Sequence, residues 1–499
     1  MNRFKKAITL TLVLVFLTMV VAGCNLNYID KVSPSLTCYT LKLSYDNENH
    51  VLSGVQRVQF TNGTTNTLDS LHFHLYANAY RQDASHLIVS PNYVQSCYCY
   101  GQSFGEIAFD WVKVEDTAVA FEIGGTDCDV LIVPLSKTLY PDESVTVEMV
   151  YEISLPHIKH RLGFGENTVS LGNFFPILCM IDQTGSWQDT PYYVYGDPFV
   201  SQMANFDVSL SCDSDFVVAS TGTLLTTSTE NDVTTYTIEA KVVRDFAIVM
   251  SKNFKVLTQT EDGVQVKYYY FDDDDPATAL AFAVNSLKYF GDNIAKYPYD
   301  TYSVAQADFC FGGMEYPMLS VISAETTAKI ETVIHETAHQ WFYNLVASDQ
   351  IEHPWQDEGL VEFLTQLYLD QCGEVPLKES MRKYLKNYTT YVNVLTDYLG
   401  KLDTTMRASY KFDTEQGYVY MTYVKGALMF NSIYDACGKD KFFNALRRYF
   451  DDCKLTVATP EQMQASFSSG YGADIAGFFD SYINGENQLV PLKGKEPSS

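Results

Sequence analysis

The spacing of apolar and polar positions changes character once along the chain. From about residue 39 to 254 apolar side chains alternate with polar ones in short runs, as in "YTLKLSYDNENHVLSGVQRVQFTNGTTN", "DVLIVPLSKTLYPDESVTVEMVYEISL" and "FDVSLSCDSDFVVASTG". A period of two, broken every few residues by turn formers such as Asn-Gly, predicts an antiparallel sandwich or saddle. The alternation continues through "FKVLTQTEDGVQVKYYYF" and then lengthens in "DDDDPATALAFAVNSLKYFGDNI". There Asp275-Pro276 has the form of a helix entry, and helical spacing dominates to the end. The four aspartates lack the glycine and closing glutamate of a calcium loop, so they read as a solvated helix start. The pattern predicts an α+β chain: a β-sheet domain over residues 25–254, a mainly helical domain over 255–487 and a loose tail over 488–499.

Composition agrees with a folded body of more than one domain. The chain has 499 residues, more than one ordinary core serves, with 46% apolar and 19% charged residues. Its formal net charge of -27 would repel phosphates over most of the surface, which excludes nucleic acid as a partner.

The first residues, "MNRFKKAITLTLVLVFLTMVVAGC", place Arg3, Lys5 and Lys6 before an apolar run and close on small residues and Cys24. That is export machinery rather than fold. Val21-Ala22-Gly23-Cys24 resembles a bacterial lipobox, which implies that residues 1–23 are a signal peptide and that Cys24 carries a lipid. An uncleaved signal anchor is the other reading; both put the protein on the extracytoplasmic face of a bacterial cell membrane. Ten further cysteines include the pair in "CYC", Cys97 and Cys99, which no second pair follows at zinc-finger spacing.

Candidate chemistry concentrates in "HETAHQWFYNLVASDQIEHPWQDEGL". If "AKIETVIHETAHQWFYNLVA" is helical, His335 and His339 project from one face about a turn apart, the reach of a single metal ion. Two histidines leave a catalytic zinc short of a protein ligand, and Glu358, on a second helical run "WQDEGLVEFLTQLYL", is positioned by spacing to supply it. Glu362, one turn on, is placed to accept a hydrogen bond from a ligand histidine. Asp357 faces another direction, and His353 precedes Pro354 in a turn. Glu336 is rotated about a hundred degrees from the ligand face, which suits a general base rather than a ligand.

These residues resemble a known family. "HETAH", 18 residues and Glu358 match the gluzincin pattern, and "HQWFYNLV" is similar to a stretch of the aminopeptidase N family of zinc metallopeptidases. "FGGMEYP" resembles that family's G-x-M-E-N exopeptidase signature, and "YMTYVKGALMF" sets Tyr423 where the family has its catalytic tyrosine. "LGNFFPILCMIDQTGSWQDTPYYVYGDPF" and "GADIAGFFDSYING" are more loosely similar, so the resemblance spans most of residues 40 to 486.

The resemblance implies a β saddle followed by a thermolysin-like, mainly helical zinc peptidase domain, in a short member without the family's C-terminal helical domain. It implies one zinc per chain on His335, His339 and Glu358, with Glu336 as the base that serves the attacking water. Tyr423 would stabilise the tetrahedral carbon's oxygen, and Glu315 would bind a peptide's free amine. Gly312, Gly313 and Met314 would line the peptide as an edge strand. Two departures stand out: Tyr316 replaces the signature's asparagine, and the segment before "FFPI" offers no glutamine as a second acceptor for the amine. The expected activity is therefore an aminopeptidase on extracellular peptides. A zinc endopeptidase or oligopeptidase with a weak amine requirement, and a catalytically silent surface peptide-binding protein, remain alternatives. Oligomeric state is not readable from the chain.

Overall fold

Burial follows the alternation read from the sequence. Along Thr37–Asp46, Val51–Thr61 and Ser144–Ser154 nearly every second side chain is buried, including Leu41, Leu43, Leu52, Val58, Val147, Met149 and Ile153. In the computed structural model, which describes residues 28–182, 184–400, 404–485 and Leu489, these strands belong to one large twisted sheet. The predicted signal peptide, Cys24 and all of the tail except Leu489 lie outside the described residues. Most pairings in the sheet are antiparallel, but Thr37–Asp46 runs parallel to Ala204–Asp213, with Thr37 opposite Ala204 and Leu43 opposite Leu210. A parallel pair needs a long crossover, and the whole stretch between residues 46 and 204 supplies it.

Smaller sheets complete the β-rich part, and a five-stranded sheet begins at Lys255. Its strands lie in the order Lys255–Glu261, Val264–Tyr270, Thr301–Ala307, Leu319–Ser323 and Gly313–Met314, so Gly313–Met314 forms an edge. Between the parallel neighbours Val264–Tyr270 and Thr301–Ala307 the chain crosses over through the helix Pro276–Asn293. This helix starts as expected: Pro276 lies in its first turn, and the Asp275 carboxylate accepts the Thr278 N–H. The aspartate run is not wholly solvated, however. The Asp273 side chain is buried, accepts the Tyr268 hydroxyl at 2.6 Å and pairs with Lys329, so it ties this turn to the start of the next helix.

Helices then build the rest. Trp355–Cys372, closed by Gly373 at φ 81°, packs its backbone directly on Lys425–Cys437. A Cβ added to Gly359 would stand 2.8 Å from the Gly426 Cα, so both positions require glycine for the helices to meet.

Two devices join the β-rich part to the helical part. The buried Arg244 guanidinium donates to four backbone carbonyls: Tyr343 and Asn344 (3.1 and 3.0 Å), Ser201 (2.9 Å) and Thr456 (2.6 Å). A disulfide links Cys97 to Cys310, just ahead of Gly312. Among the described residues no helix is long and apolar enough to cross a membrane.

Candidate active site

His335 sits in the last turn of the helix Lys329–Ala338, and His339 immediately follows it. The helix is shorter than its apolar spacing suggests. Trp341, Phe342 and Leu345 extend the helical pattern in sequence, but they are buried in a tight turn instead. Competing partners explain the break: the Asn344 N–H reaches the His339 carbonyl at 3.1 Å and the Val346 N–H reaches that of Trp341 at 2.9 Å. Arg244 holds the carbonyls of Tyr343 and Asn344. Local bonds spanning five residues and one tertiary donor, Arg244, have replaced the regular helical ladder.

The two histidines and Glu358 converge. His339 Nδ1 lies 2.9 Å from the Phe342 carbonyl, and His335 Nδ1 lies 3.2 Å from Glu362 Oε2. Each Nδ1 faces an acceptor and so carries the proton, which leaves both Nε2 atoms as lone-pair donors. The Nε2 atoms are 3.1 Å apart and lie 3.1 and 3.3 Å from Glu358 Oε2. Three electron-rich atoms at such distances repel unless a cation lies among them. Ligands on a tetrahedral zinc, with bonds of about 2.0–2.1 Å, stand about 3.3 Å from one another. The donor set and its spacing therefore fit zinc.

Glu336 lies behind this triad, 5% exposed, and its Oε2 has no hydrogen-bond partner. Burial pushes its carboxyl up to about 7. A buried carboxylate oxygen left without a protein partner beside the candidate ligands fits a general base. Gly313 makes room for it: a Cβ there would fall 2.3 Å from Glu336 Oε1. Tyr423 stands on a π-helical turn, Tyr420–Val424, and its hydroxyl donates to Glu358 Oε1 at 2.7 Å. Such turns widen the helix and reorient a side chain, and they recur at functional sites.

Glu315 is 3% exposed and lines the same cavity of about 570 Å³ as the triad. Burial and the neighbouring Asp197 push its carboxyl well up. Carboxylate oxygens of Asp197, Glu315 and Glu358 lie within 4.8 Å of one another. Arg161 pairs with Asp197 on one side. Gln350 donates to Glu315 Oε1 at 3.0 Å, while its own carbonyl oxygen is buried without a partner. Of the edge-strand residues, Gly312 and Gly313 line the cavity, whereas Met314 is buried, its sulfur 3.3 Å from Arg161 Nε. Cys310 and Cys97 are joined rather than clipped to a metal.

Sequence reasoning missed Asp197, Arg161 and Gln350. Asp197 lies in "YGDPF", where a lone acid between glycine and proline in an irregular segment was the only signal. Tyr316, the departure from the family signature, turns away from the cavity. Its ring is buried against Gly172, where a Cβ would meet the hydroxyl at 1.8 Å. His353 and Asp357 stay outside the triad; the His353 N–H bonds the Asp349 carbonyl at 2.7 Å, and Asp357 Oδ1 accepts the Glu358 N–H at 2.8 Å.

Comparison with known proteins finds relatives among peptidases. Residues 278–482 match the peptidase family M1 domain. Curated relatives include Aminopeptidase 2, mitochondrial, of Saccharomyces cerevisiae, 26% identical over 302 residues that make up 56% of this chain and 29% of that protein. Aminopeptidase M1 of Arabidopsis thaliana is 23% identical over 306 residues, 56% of this chain and 34% of that one. The chain thus spans about a third of the length of these relatives. Among solved structures, a mutant M1 zinc metallopeptidase from Deinococcus radiodurans superposes with a TM-score of 0.67 at 16% identity, covering 93% of this chain and 96% of that one. The same enzyme has been solved bound to a Tyr-ser-ala substrate, with a TM-score of 0.67 over 92% of this chain and 95% of that one, again at 16% identity.

Proposed function

Because residues 278–482 are a peptidase family M1 domain, we propose that this protein is a zinc-dependent aminopeptidase that removes first residues from extracellular peptides. The observation that carries the reading is the single cavity in which Glu315 and Asp197 stand beside His335, His339 and Glu358. Asp197 already pairs with Arg161, so Glu315 is the buried carboxylate beside the triad that has only a neutral donor, Gln350, and the free α-ammonium of a peptide is the cation that would pair with it. Holding it there sets the first peptide bond over the triad.

His335, His339 and Glu358 would hold the zinc, which when bound supplies Lewis-acid activation of water and of the peptide carbonyl. Glu336 accepts the proton of the attacking water on its unpartnered Oε2 and returns it to the leaving nitrogen. Tyr423 donates its hydroxyl hydrogen bond to the oxygen of the tetrahedral carbon, exchanging the partner it now has in Glu358. Glu362 fixes the His335 ring through Nδ1. Arg161 pairs with Asp197 and fixes its position in the cavity wall.

The proposal extends to location: residues 1–23 direct export, and Cys24 is lipidated and holds the enzyme to the outer face of the cell membrane. Besides the sequence of that segment, the Cys97–Cys310 disulfide supports an oxidising compartment.

The test is a pair of substrates, an aminoacyl anilide and its N-acetylated copy, given to the zinc-loaded protein. Turnover of the free amine, loss of at least a thousandfold in kcat with Glu336→Gln and none of the acetylated copy support the reading. Equal turnover of both copies would move the assignment to an endopeptidase.

A further inference from the structure

The cavity that holds Glu315 and Asp197 is also lined by a group of aromatic side chains and the carboxylate Glu415. The segments that present these two carboxylates also supply part of that lining. Tyr195 is two residues from Asp197, Phe311 is four from Glu315, and Tyr93, Tyr418 and Glu415 line the same cavity. A substrate's first side chain leaves the same carbon as its ammonium, so an ammonium held by Glu315 directs that side chain here.

The walls are aromatic. Tyr93 packs edge-on against Phe311 with ring centroids 5.3 Å apart, and Tyr195 stacks on Tyr418 at 6.4 Å. The far side carries a carboxylate in a fixed orientation. Glu415 Oε2 accepts the Ser90 hydroxyl at 2.7 Å and the Asn92 amide at 3.0 Å. The Tyr93 hydroxyl faces the same carboxylate. Two neutral donors from one loop aim this acid, and among the described residues no ion pair to it is seen. The cavity's own guanidinium, Arg161, is committed to Asp197, Tyr192 and the Gly196 carbonyl.

We propose that this part of the cavity recognises a long cationic side chain, arginine or lysine, on the first residue of the peptide, with Glu415 as its counter-charge. The inference rests on the aminopeptidase reading above. The aliphatic stem would lie along Tyr93, Tyr195 and Tyr418, whose ring faces attract a cation, while the Phe311 ring already has the Arg161 guanidinium 5.2 Å from its centroid. The charged end would meet Glu415, whose Oε1 receives no hydrogen bond from Ser90 or Asn92. An apolar side chain of equal length fills the same space but covers the carboxylate without pairing it, which disfavours it.

The experiment compares arginine, lysine, norleucine and tyrosine anilides on the wild-type, zinc-loaded protein and on Glu415→Gln. The proposal expects kcat/KM for arginine and lysine at least tenfold above norleucine and tyrosine, and this ratio falling to about one to three in Glu415→Gln. A wild-type preference for norleucine or tyrosine overturns it without any variant. An arginine-to-norleucine ratio that Glu415→Gln leaves unchanged also overturns it, because Glu415 would then be a loop anchor only. Calorimetric binding of free L-arginine and L-norleucine separates the two readings. If no anilide is hydrolysed but L-arginine binds at least tenfold tighter than L-norleucine in a Glu415-dependent way, the aminopeptidase reading fails and the pocket stands. Hydrolysis of free-amine substrates without either preference keeps the aminopeptidase and removes the pocket.

Discussion

Gly313→Ala isolates the position of Glu336 from everything else in the site. Gly313 has an ordinary backbone conformation, so alanine meets no strain of its own. Its Cβ, however, would lie 2.3 Å from Glu336 Oε1, 2.7 Å from Cδ and 2.8 Å from Cγ. Carbon and oxygen without a bond need roughly 3.3 Å, so the carboxylate must retreat by about 1 Å. A general base moved by that much costs on the order of a hundredfold in rate, about 2.7 kcal/mol in the barrier. The neighbouring Gly312→Ala is the control, because its Cβ would meet only Thr332 Oγ1, at 3.9 Å. Steady-state kinetics on a free aminoacyl anilide, with zinc content and melting temperature recorded for each variant, reads the contrast. The expected result is a kcat lower by about two orders of magnitude in Gly313→Ala alone, with zinc content unchanged. If Gly313→Ala keeps kcat within threefold of wild type, or Gly312→Ala loses as much, Glu336 is not the base whose placement limits the reaction.

Three further outcomes follow from the packing. Arg244→Met leaves four buried carbonyls without their donor and should cost about 3–5 kcal/mol; a fall of several degrees in the melting midpoint is the readout. Replacing Cys97 and Cys310 together by serine should lower stability by about 2–5 kcal/mol by releasing a link across 213 residues, seen as a lower denaturation midpoint that matches the reduced wild type. Asp245 gives a pH signature: burial pushes its carboxyl up to about 7 from 3.8. The folded state therefore holds the extra proton between those values, so this group's contribution to stability falls as pH rises from about 4 to 7 and is level above. Asp245→Asn should flatten the stability profile across that window whatever its absolute stability, and an unchanged slope in denaturant unfolding at pH 5 and pH 7.5 would refute the assignment.

What the sequence made readable was what short-range periodicity fixes. His335, Glu336 and His339 are placed by one helical turn, Glu358 and Glu362 by another, and Tyr423 by its flanking motif. The change from period two to helical spacing near residue 270 marks the helix Pro276–Asn293, but strands return at Thr301–Ala307, Gly313–Met314 and Leu319–Ser323 before helices take over at Lys329. The rest depends on contacts between segments far apart in the chain. Asp197 and Arg161 come from irregular stretches with no period to read, and Gln350 reaches Glu315 across a turn. The helix end at Ala338 could not be read because Trp341, Phe342 and Leu345 keep the apolar rhythm while donors such as Arg244 from the β-rich part take the backbone carbonyls. Tyr316 looked like a change in the cleft and is a packing residue, since the room for it is made by Gly172, more than a hundred residues upstream.

The most direct test of the account is the pattern of fragments from one unblocked peptide of about ten residues, beginning with several lysines or arginines, followed over time by mass spectrometry with the zinc-loaded protein. The account predicts a ladder that shortens one residue at a time from the amino terminus, and no cleavage of the same peptide when its amino terminus is acetylated. Internal fragments, or an acetylated copy cut as fast as the free one, would contradict it.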